Sequence, residues 1–317
     1  MRPVPGDDLI VRVAWLHYIE GYNQNDIADM LRLSRPKVTR LLDRARKQGI
    51  VKFFIKAPQV NLFSLEKKLK QAFALHDAVV VPSGRNDEET IENIGRGGAL
   101  YFSQNVWKWR LVGFSWGKTL RAFAENLFAM DEVRDIRFVS LAGGLTLGTF
   151  MNPFNIGERL SLVFNGQCYY IHAPEVAESV EARELYLSER VNRKTFEMAR
   201  QTECSLLGIG VADVEHSTYI QAGFIDRQDM EIIRQKGGVG DILGQFFDLE
   251  GQILDLELHR KTIAIPLEDL RKMPNVIGLA GGPHKIEAIL GALRGGFVKI
   301  LITDEETARN VLERKEL

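Results

Sequence analysis

The N-terminal part of the chain alternates hydrophobic and polar positions with a helical period. Apolar residues recur along residues 7–20 and Gly21 follows them, so the pattern predicts a helix that ends at this glycine. Two further short helices are predicted next, because Ala28 is followed by Val38 and Leu41 at spacings of ten and thirteen residues. A small residue such as Ala28 lets two crossing helices approach closely.

The second of these helices is predicted to begin at about Arg35. Ser34 stands where a helix N-cap belongs, and Pro36 follows in the first turn, where its missing N–H costs nothing. The pair forms a helix-turn-helix, whose second helix enters the DNA major groove. Its turn has Arg32 where glycine is usual, at a cost of roughly 1 kcal/mol. The residues expected to contact DNA are Ser34, Arg35, Pro36, Lys37, Thr39, Arg40 and Arg44.

Positive charge is concentrated on this stretch. Nine Lys or Arg residues and one acid, Asp43, lie between residues 32 and 56, whereas the whole chain has a formal net charge of −1. A local basic face is what a DNA-reading element needs, because it neutralises phosphates. The alternative is a helical hairpin with a solvated basic face.

A domain boundary is predicted near residue 58. The apolar run 50–55 predicts a short strand, a candidate wing, which Ala57-Pro58 interrupts. The chain then divides into a helix-turn-helix domain over 1–58 and a larger domain over 59–317. A helix is predicted over 62–75, and three roles stay open for it: linking the domains, pairing with itself in a dimer, or packing on its own domain.

From Ala78 onward, short apolar runs alternate with helical patterns. The runs lie at 78–81, 111–114, 136–144, 168–173, 205–211, 275–282 and 298–303. Strands that alternate with helices predict a parallel sheet covered on both faces. The predicted fold class is therefore α/β, with the helix-turn-helix domain followed by a larger Rossmann-like parallel-sheet domain.

Three glycine-rich turns follow predicted strands, where backbone N–H groups and helix N-termini bind anions. They lie at 113–120, 140–148 and 278–289. The first contains Gly-Lys-Thr but is not a P-loop, because three residues separate its glycines and a P-loop needs four. Lys118 and Thr119 of the first turn and Lys285 of the third are candidate ligands of a phosphorylated molecule. A surface lysine on an ordinary turn is the alternative for Lys285.

Few other residues suggest chemistry. Asp241 and Asp248 lie among glycines, where a carboxylate could accept hydrogen bonds from sugar hydroxyls, and turn chemistry is the alternative for both. The six histidines are scattered without an acid at metal-ligand spacing, and two cysteines are too few for a zinc site or a disulfide framework. We therefore expect no metal, no cofactor and no catalytic residue.

The chain carries no signal for a membrane or for export. No apolar run approaches the roughly 18 residues of a membrane span. The N-terminus also lacks the hydrophobic core and cleavage site of a signal peptide. A cytoplasmic location is therefore expected.

Nearly the whole chain resembles the SorC family of sugar-responsive bacterial transcriptional regulators. The similarity rests on YIEGYNQNDIADMLRLSRPKVTRLLDRARKQGIV at 18–51, and then on SWGKTL, SLAGG, GIGV, GGVGDILGQFFDLEG, GLAGGPHKIEAI, GALRGG and LITDEETA. It implies a sugar-binding domain with the fold of ribose-5-phosphate isomerase and glucosamine-6-phosphate deaminase, a phosphosugar effector, and a dimer or tetramer on operator DNA. Carried over by motif, the effector contacts are Gly117, Lys118, Thr119, Gly143, Gly144, Asp241 and Lys285.

Two functions are compatible with these features. The first is a regulator of a sugar or polyol catabolic operon that reads an inverted-repeat operator, because a single helix-turn-helix contacts too little DNA for genomic specificity. The second is a sugar-phosphate isomerase or deaminase fused to a DNA-binding domain. That enzyme would need a carboxylate base or a carboxylate–histidine pair, and no histidine has an obvious acidic partner. It would also leave the basic helix unexplained, so we expect no enzyme.

Overall fold

The computed structural model describes residues 6–51, 59–128, 135–145 and 152–315. They belong to two compact units, Met1–Val60 and Asn61–Leu317. Most of the predicted wing at 50–55 lies outside the described residues, and Ile50 and Val51 form no strand. No helix in the described ranges is long and apolar enough to cross a membrane.

The N-terminal unit is built from three helices, α1 (Gly6–Tyr18), α2 (Gln24–Leu31) and α3 (Arg35–Lys47). Their apolar faces meet in one core, as the periodicity predicts. The buried residues of this core are Ile10, Val13, Ala14, Ile27, Ala28, Val38, Leu41, Leu42 and Ala45. The small side chain of Ala28 lies inside the core, which agrees with its predicted role between crossing helices.

The turn between α2 and α3 has the predicted strain. Arg32 is left-handed, with φ 53° and ψ 46°, in the conformation that favours glycine. Ser34 has the extended backbone of an N-cap, but its side chain makes no capping hydrogen bond. The predicted N-cap position of Ser34 is therefore confirmed, and the start of α3 depends on the Ser34 backbone and on Pro36. Helix α2 does have a side-chain cap, since Asn23 accepts hydrogen bonds from the N–H groups of Asn25 and Asp26.

The larger unit contains a seven-stranded sheet in which every strand pair is parallel. Its strands are β1 (Asp77–Val81), β2 (Leu111–Phe114), β3 (Arg137–Ser140), β4 (Gln167–Tyr169), β5 (Cys204–Gly208), β9 (Val276–Leu279) and β10 (Ile300–Asp304). The three remaining strands are β6 (Gly210–Val211), β7 (Gly238–Ile242) and β8 (Gln245–Asp248). The large sheet has the order β1-β10-β9-β5-β2-β3-β4.

Helices lie between the strands. They are α4 (Gln59–Phe73), α5 (Asp87–Asn105), α6 (Lys118–Glu125), α7 (Pro153–Phe164), α8 (Val180–Ser188), α9 (Arg190–Ala199), α10 (Thr218–Gln221), α11 (Arg227–Gln235), α12 (Glu257–Lys261), α13 (Leu267–Leu270), α14 (Ile286–Arg294) and α15 (Glu305–Lys315). Two 3₁₀ turns, Val106–Lys108 and Pro283–Lys285, complete the described helical segments.

Both faces of the parallel sheet are covered, as predicted. In β10, Leu301 belongs to one hydrophobic cluster and its neighbours Ile300 and Ile302 belong to the other, because successive strand residues point to opposite faces. Residues of α4, α9, α14 and α15 complete the first cluster, and residues of α5, α6 and α7 complete the second. The buried leucines of α4 therefore support packing on its own domain.

The small sheet is the part that the periodicity does not predict. Strands β6, β7 and β8 pair antiparallel. Strand β6 falls within the predicted run 205–211, whereas β7 and β8 lie where no strand was predicted. Asp241 is buried in β7, and its Oδ2 accepts a hydrogen bond from the Gly244 N–H at 3.3 Å, so turn chemistry is present at this residue as well. The turn alternative is correct for Asp248, whose Oδ1 accepts hydrogen bonds from the N–H groups of Glu250 and Gln252.

Candidate functional site

The basic residues of helix α3 form an exposed surface on the side that faces away from the core. Its apolar residues Val38, Leu41, Leu42 and Ala45 are buried. Every residue that the sequence assigns to DNA contact is exposed: Ser34, Arg35, Pro36, Lys37, Thr39, Arg40 and Arg44. The structure thus gathers the predicted DNA-reading residues on one helix and its cap.

Contacts within this unit hold some of these side chains and leave others available. Thr39 Oγ1 donates a hydrogen bond to Gln24 Oε1 at 2.8 Å, which fixes α3 to α2. Arg46 forms an ion pair with Asp43. Among the described residues, none bonds the side chains of Arg35 or Lys37, so both can reach a partner without breaking an existing contact.

The second candidate site is a cavity at the carboxyl ends of three adjacent strands. Strand β2 leads into residues 115–119, β5 into 208–211, and β9 into the turn that carries Lys285. Such an edge is where open parallel sheets bind ligands. The predicted effector residues that line this cavity are Gly117, Lys118, Thr119, Asp241 and Lys285.

The first glycine-rich turn presents free N–H groups to the cavity. Gly117 has φ 134°, which favours glycine, and forms the N-cap of α6. Arg121 donates to the Gly117 carbonyl, so the amides of Lys118, Thr119 and Leu120 are those of the first helical turn. No acceptor among the described residues bonds them. This helix end therefore offers a positive dipole and unpaired donors to an anion.

In the other two glycine-rich turns, three glycine amides are already bonded. Gly143 N–H donates to the Ile263 carbonyl and Gly144 N–H to the Ala173 carbonyl, each at 2.9 Å. Neither glycine lines the cavity. In the third turn, Gly282 N–H donates to Asp304 Oδ1 and Thr307 Oγ1. Gly143 and Gly144 thus fit a structural role, and the third turn contributes His284 and Lys285 to the cavity lining.

Lys285 and Asp241 form the charged centre of the cavity. The Lys285 Nζ donates to the Ile209 carbonyl at 2.6 Å. Burial, and then the charge of Lys118, lower the pKa of Lys285 to about 8, although Asp241 opposes this shift. Burial raises the pKa of Asp241 to about 6. Glycine is required at Gly210, because a Cβ there would collide with the Asp241 carboxylate.

A buried carboxylate that the sequence analysis missed, Glu175, lies in the same cavity. Glu175 is fully buried and accepts hydrogen bonds from Trp116 Nε1 and the Tyr219 hydroxyl. Burial raises its pKa to about 8. No local motif marks Glu175, since its two donors are 59 and 44 residues away in the chain.

Two histidines at the mouth of the cavity were also missed. His216 Nδ1 lies 2.6 Å from Asp213 Oδ1, and His284 Nδ1 lies 3.7 Å from Asp87 Oδ2. The statement that no histidine has an acidic partner is therefore wrong for both. The Asp213–His216 spacing of three residues was visible in the sequence, whereas the Asp87–His284 pair forms only in the fold.

Comparisons with known proteins identify the family of this chain. A family model described as "Putative sugar-binding domain" matches residues 57–313. The full-length sorbitol operon regulator SorC from Klebsiella pneumoniae has a similar structure, with a TM-score of 0.75 and 28% identity, over 98% of this chain and 100% of that chain. The chain belongs to the SorC family. This confirms the resemblance that the motifs indicate.

Three transcriptional regulators of the SorC family match this chain along nearly their whole length. The erythritol catabolism regulatory protein EryD of Brucella abortus is 32% identical over 96% of both chains. The transcriptional regulator LsrR of an Enterobacter species is 32% identical, over 96% of this chain and 93% of that protein. The deoxyribonucleoside regulator of Bacillus subtilis is 31% identical over 95% and 96%.

These SorC-family relatives are transcriptional regulators and not enzymes. The chain is thus a transcriptional regulator with a sugar-binding domain, and as such it binds DNA. The fused isomerase or deaminase is not supported. The finer likeness of the second domain to ribose-5-phosphate isomerase stays a prediction.

Proposed function

We propose that this protein regulates a sugar or polyol catabolic operon and that an anionic phosphosugar, bound in the cavity, controls its affinity for operator DNA. The names of two relatives support the operon class, since one regulates erythritol catabolism and another the sorbitol operon. The observation that carries the proposal is the pair of lysines, Lys118 and Lys285, beside the free N-terminus of α6.

The phosphate end of the effector occupies the first turn of α6. Three unpaired amides, the Thr119 hydroxyl and the Lys118 ammonium all line this part of the cavity. Lys118 and Lys285 are close enough for one charge to lower the pKa of the other, so an anion between them removes a repulsion. Phosphate binding should therefore raise the pKa of Lys285 and take up protons near pH 8.

The sugar end faces the carboxylates. The carboxyl groups of Asp241 and Glu175 belong to residues that line the cavity, and sugar hydroxyls, which both donate and accept hydrogen bonds, match them. Gln221 and Ser115 line the same cavity and can complete the contacts of a polyhydroxylated chain. Gly143 and Gly144 are left out of this proposed site, since their N–H groups are already bonded.

DNA is read by α3. Arg35, Lys37 and Arg40 lie in its first turns, where a recognition helix reaches base edges, and Arg44 and Lys47 follow where phosphates pass. Thr39 holds the helix to α2, and Ser34 and Pro36 define its start. The operator is an inverted repeat bound by a dimer or tetramer, because one such helix contacts too few base pairs. Light scattering that finds a monomer, both free and on DNA, would contradict the assembly.

The effector acts by binding one assembly state more tightly than another. A ligand shifts an equilibrium only by its differential affinity for the two states. Whether the protein represses or activates transcription depends on which assembly state binds the operator. Both outcomes are compatible with these two domains.

A titration of the operator complex tests the proposal. An operator selected from random DNA is bound by the full chain, and pentose and hexose phosphates are added beside the matching neutral sugars. We expect one phosphosugar to change DNA affinity, and its neutral sugar to be at least about tenfold less potent, since it lacks a charge-assisted contact. Equal potency of sugar and phosphate would contradict the phosphate site, and no response to any sugar would contradict the function.

A further inference from the structure

A cluster of metal-ligating side chains at the mouth of the cavity is not used by the proposed effector contacts. Asp87 at the start of α5, His216 before α10 and His284 in a 3₁₀ turn each offer one ligand atom, and these atoms lie within 4.8 Å of one another. Three separate segments of the larger unit thus bring two imidazoles and a carboxylate together.

The distances in this cluster are close to those of a coordinated ion. His284 Nδ1 and Asp87 Oδ2 are 3.7 Å apart. Two ligands that each lie about 2.1 Å from a tetrahedral Zn²⁺ are roughly 3.4 Å apart. The side chain of Asp87 is 56% exposed and that of His216 is 46% exposed, so both can turn to bring their ligand atoms closer together.

A second carboxylate already orients one of the ligands. Asp213 Oδ1 lies 2.6 Å from His216 Nδ1, which leaves Nε2 as the ring nitrogen available to an ion. A carboxylate behind a metal-bound histidine fixes its tautomer and raises its basicity.

The rings of His216 and His284 are stacked, with their centroids 4.4 Å apart and an interplanar angle of 12°. Because a metal ion lies in the plane of each imidazole that binds it, at least one ring rotates when both bind one ion. Two nearby acids, Asp87 and Asp213, offset the positive charge of Lys285. A partly exposed set of two nitrogens and one oxygen suits Zn²⁺ and its first-row neighbours better than Mg²⁺ or Ca²⁺, which prefer oxygen.

We propose that Asp87, His216 and His284 bind one divalent first-row metal ion at the mouth of the effector cavity. Three protein ligands leave a coordination position open. Because all three residues line the cavity, this position faces its interior, where an oxygen of the bound effector completes the coordination. The site needs neither a particular effector nor DNA, so it stands apart from the function proposed above.

Zinc binding by the tag-free full chain tests the site. Protein stripped with a chelator is titrated with Zn²⁺ in competition with a chromogenic indicator, and Co²⁺ is added in parallel for its visible absorption bands. We expect one ion per chain, and at least about tenfold weaker binding in His216→Ala and in His284→Ala. Asp213→Asn should weaken binding by about tenfold as well, because it removes the orienting carboxylate.

Two further variants keep the result interpretable. His172→Ala is the matched control, since it removes another exposed histidine away from the cavity and should bind Zn²⁺ like the wild type. Asp87→Asn alters a surface side chain, so it should fold even if a histidine variant does not, and it should weaken binding at least fivefold. The proposal is overturned if wild type takes up no stoichiometric ion, or if the folded variants bind Zn²⁺ as wild type does.

Discussion

The two proposed binding surfaces of this protein use positive charge in opposite environments. On α3, the side chains of Arg35, Lys37 and Arg40 belong to exposed residues, and the core of the unit lies behind them. In the cavity, Lys285 donates to a backbone carbonyl and shares its surroundings with the buried carboxylates of Asp241 and Glu175. Burial shifts the pKa values of all three cavity groups.

This difference decides what each surface can do. Exposed cations are hydrated and screened, so they favour a polyanion such as DNA with a strong dependence on salt. Buried charges are costly without a partner, so they discriminate sharply between ligands that pair them and ligands that do not. The α3 surface is suited to a large charged lattice, and the cavity is suited to one small molecule with defined polar groups.

The largest effect is expected from removing the buried cation. Lys285→Ala should weaken effector binding by about 10- to 100-fold, which corresponds to the roughly 1.5–3 kcal/mol of a hydrogen bond to a charged group. DNA binding without effector should stay unchanged, because residue 285 belongs to the other unit of the chain. Effector titrations of operator complexes measure both quantities.

A matched control for Lys285 exists in the same unit. Lys299 Nζ also donates to a backbone carbonyl, that of Gly296, at 2.9 Å, but it does not line the cavity. Lys299→Ala should therefore respond to effector as wild type does. If Lys285→Ala and wild type are equally sensitive to effector, Lys285 in the cavity does not bind it.

The next effect concerns the exposed cations of α3. Alanine at Arg35, Lys37 or Arg40 should cost about 1–3 kcal/mol of operator affinity where the side chain reads a base, with relaxed specificity at that base. Effector binding should be unaffected. Binding to operator and to random DNA, measured side by side by fluorescence anisotropy, separates the two losses. If all three variants bind both DNAs like wild type, α3 is not the reading helix.

The buried carboxylate predicts a dependence of stability on pH. Burial raises the pKa of Glu175 from an ordinary value of 4.5 to about 8. Between these values the folded chain holds a proton that the unfolded chain releases, so the free energy of unfolding falls as pH rises, by at most about 1.4 kcal/mol per unit. Asp241 contributes with the same sign only up to about pH 6.

Glu175→Gln should remove this dependence. Its thermal unfolding, compared with that of wild type between about pH 6 and pH 8, should show a smaller loss of stability. The difference between the two proteins isolates Glu175 from the other titrating groups. Parallel curves for both proteins would mean that Glu175 is already ionised in the fold.

The sequence predicts the α3 surface more completely than the cavity, and the reason is physical. Helix α3 and the strands of the parallel sheet carry periodic patterns, because each must bury one face or both, and these elements are found where the periodicity places them. The periodicity predicts neither β7 nor β8. The sequence GVGDI at 238–242 has glycines where a strand pattern needs side chains. Turn composition alone also fails to show which amides are free, as Gly117 and Gly143 demonstrate.

The buried carboxyl group of the cavity has no local signal in the sequence. Glu175 acquires its role from Trp116 and Tyr219, which only the fold brings to it. Lys285 was predicted because it follows a glycine-rich turn at a helix start, and its position in the cavity agrees with that reasoning. Buried polar sites are assembled from distant segments, whereas an exposed basic helix is one continuous segment.

The smallest effect separates two neighbouring cations at the end of α3. Arg46 is paired with Asp43, and their side chains are both 52% exposed, whereas no described side chain bonds Lys47. An exposed pair is worth about 0.2–1 kcal/mol, which a phosphate must replace before Arg46 contributes. Lys47→Ala should therefore weaken all DNA sequences alike and lower the salt slope by about 1, and Arg46→Ala should do less. Asp43→Asn frees Arg46 and should tighten binding to every sequence. Salt titrations of the three variants on random DNA decide this, and a larger loss for Arg46→Ala than for Lys47→Ala would contradict the order.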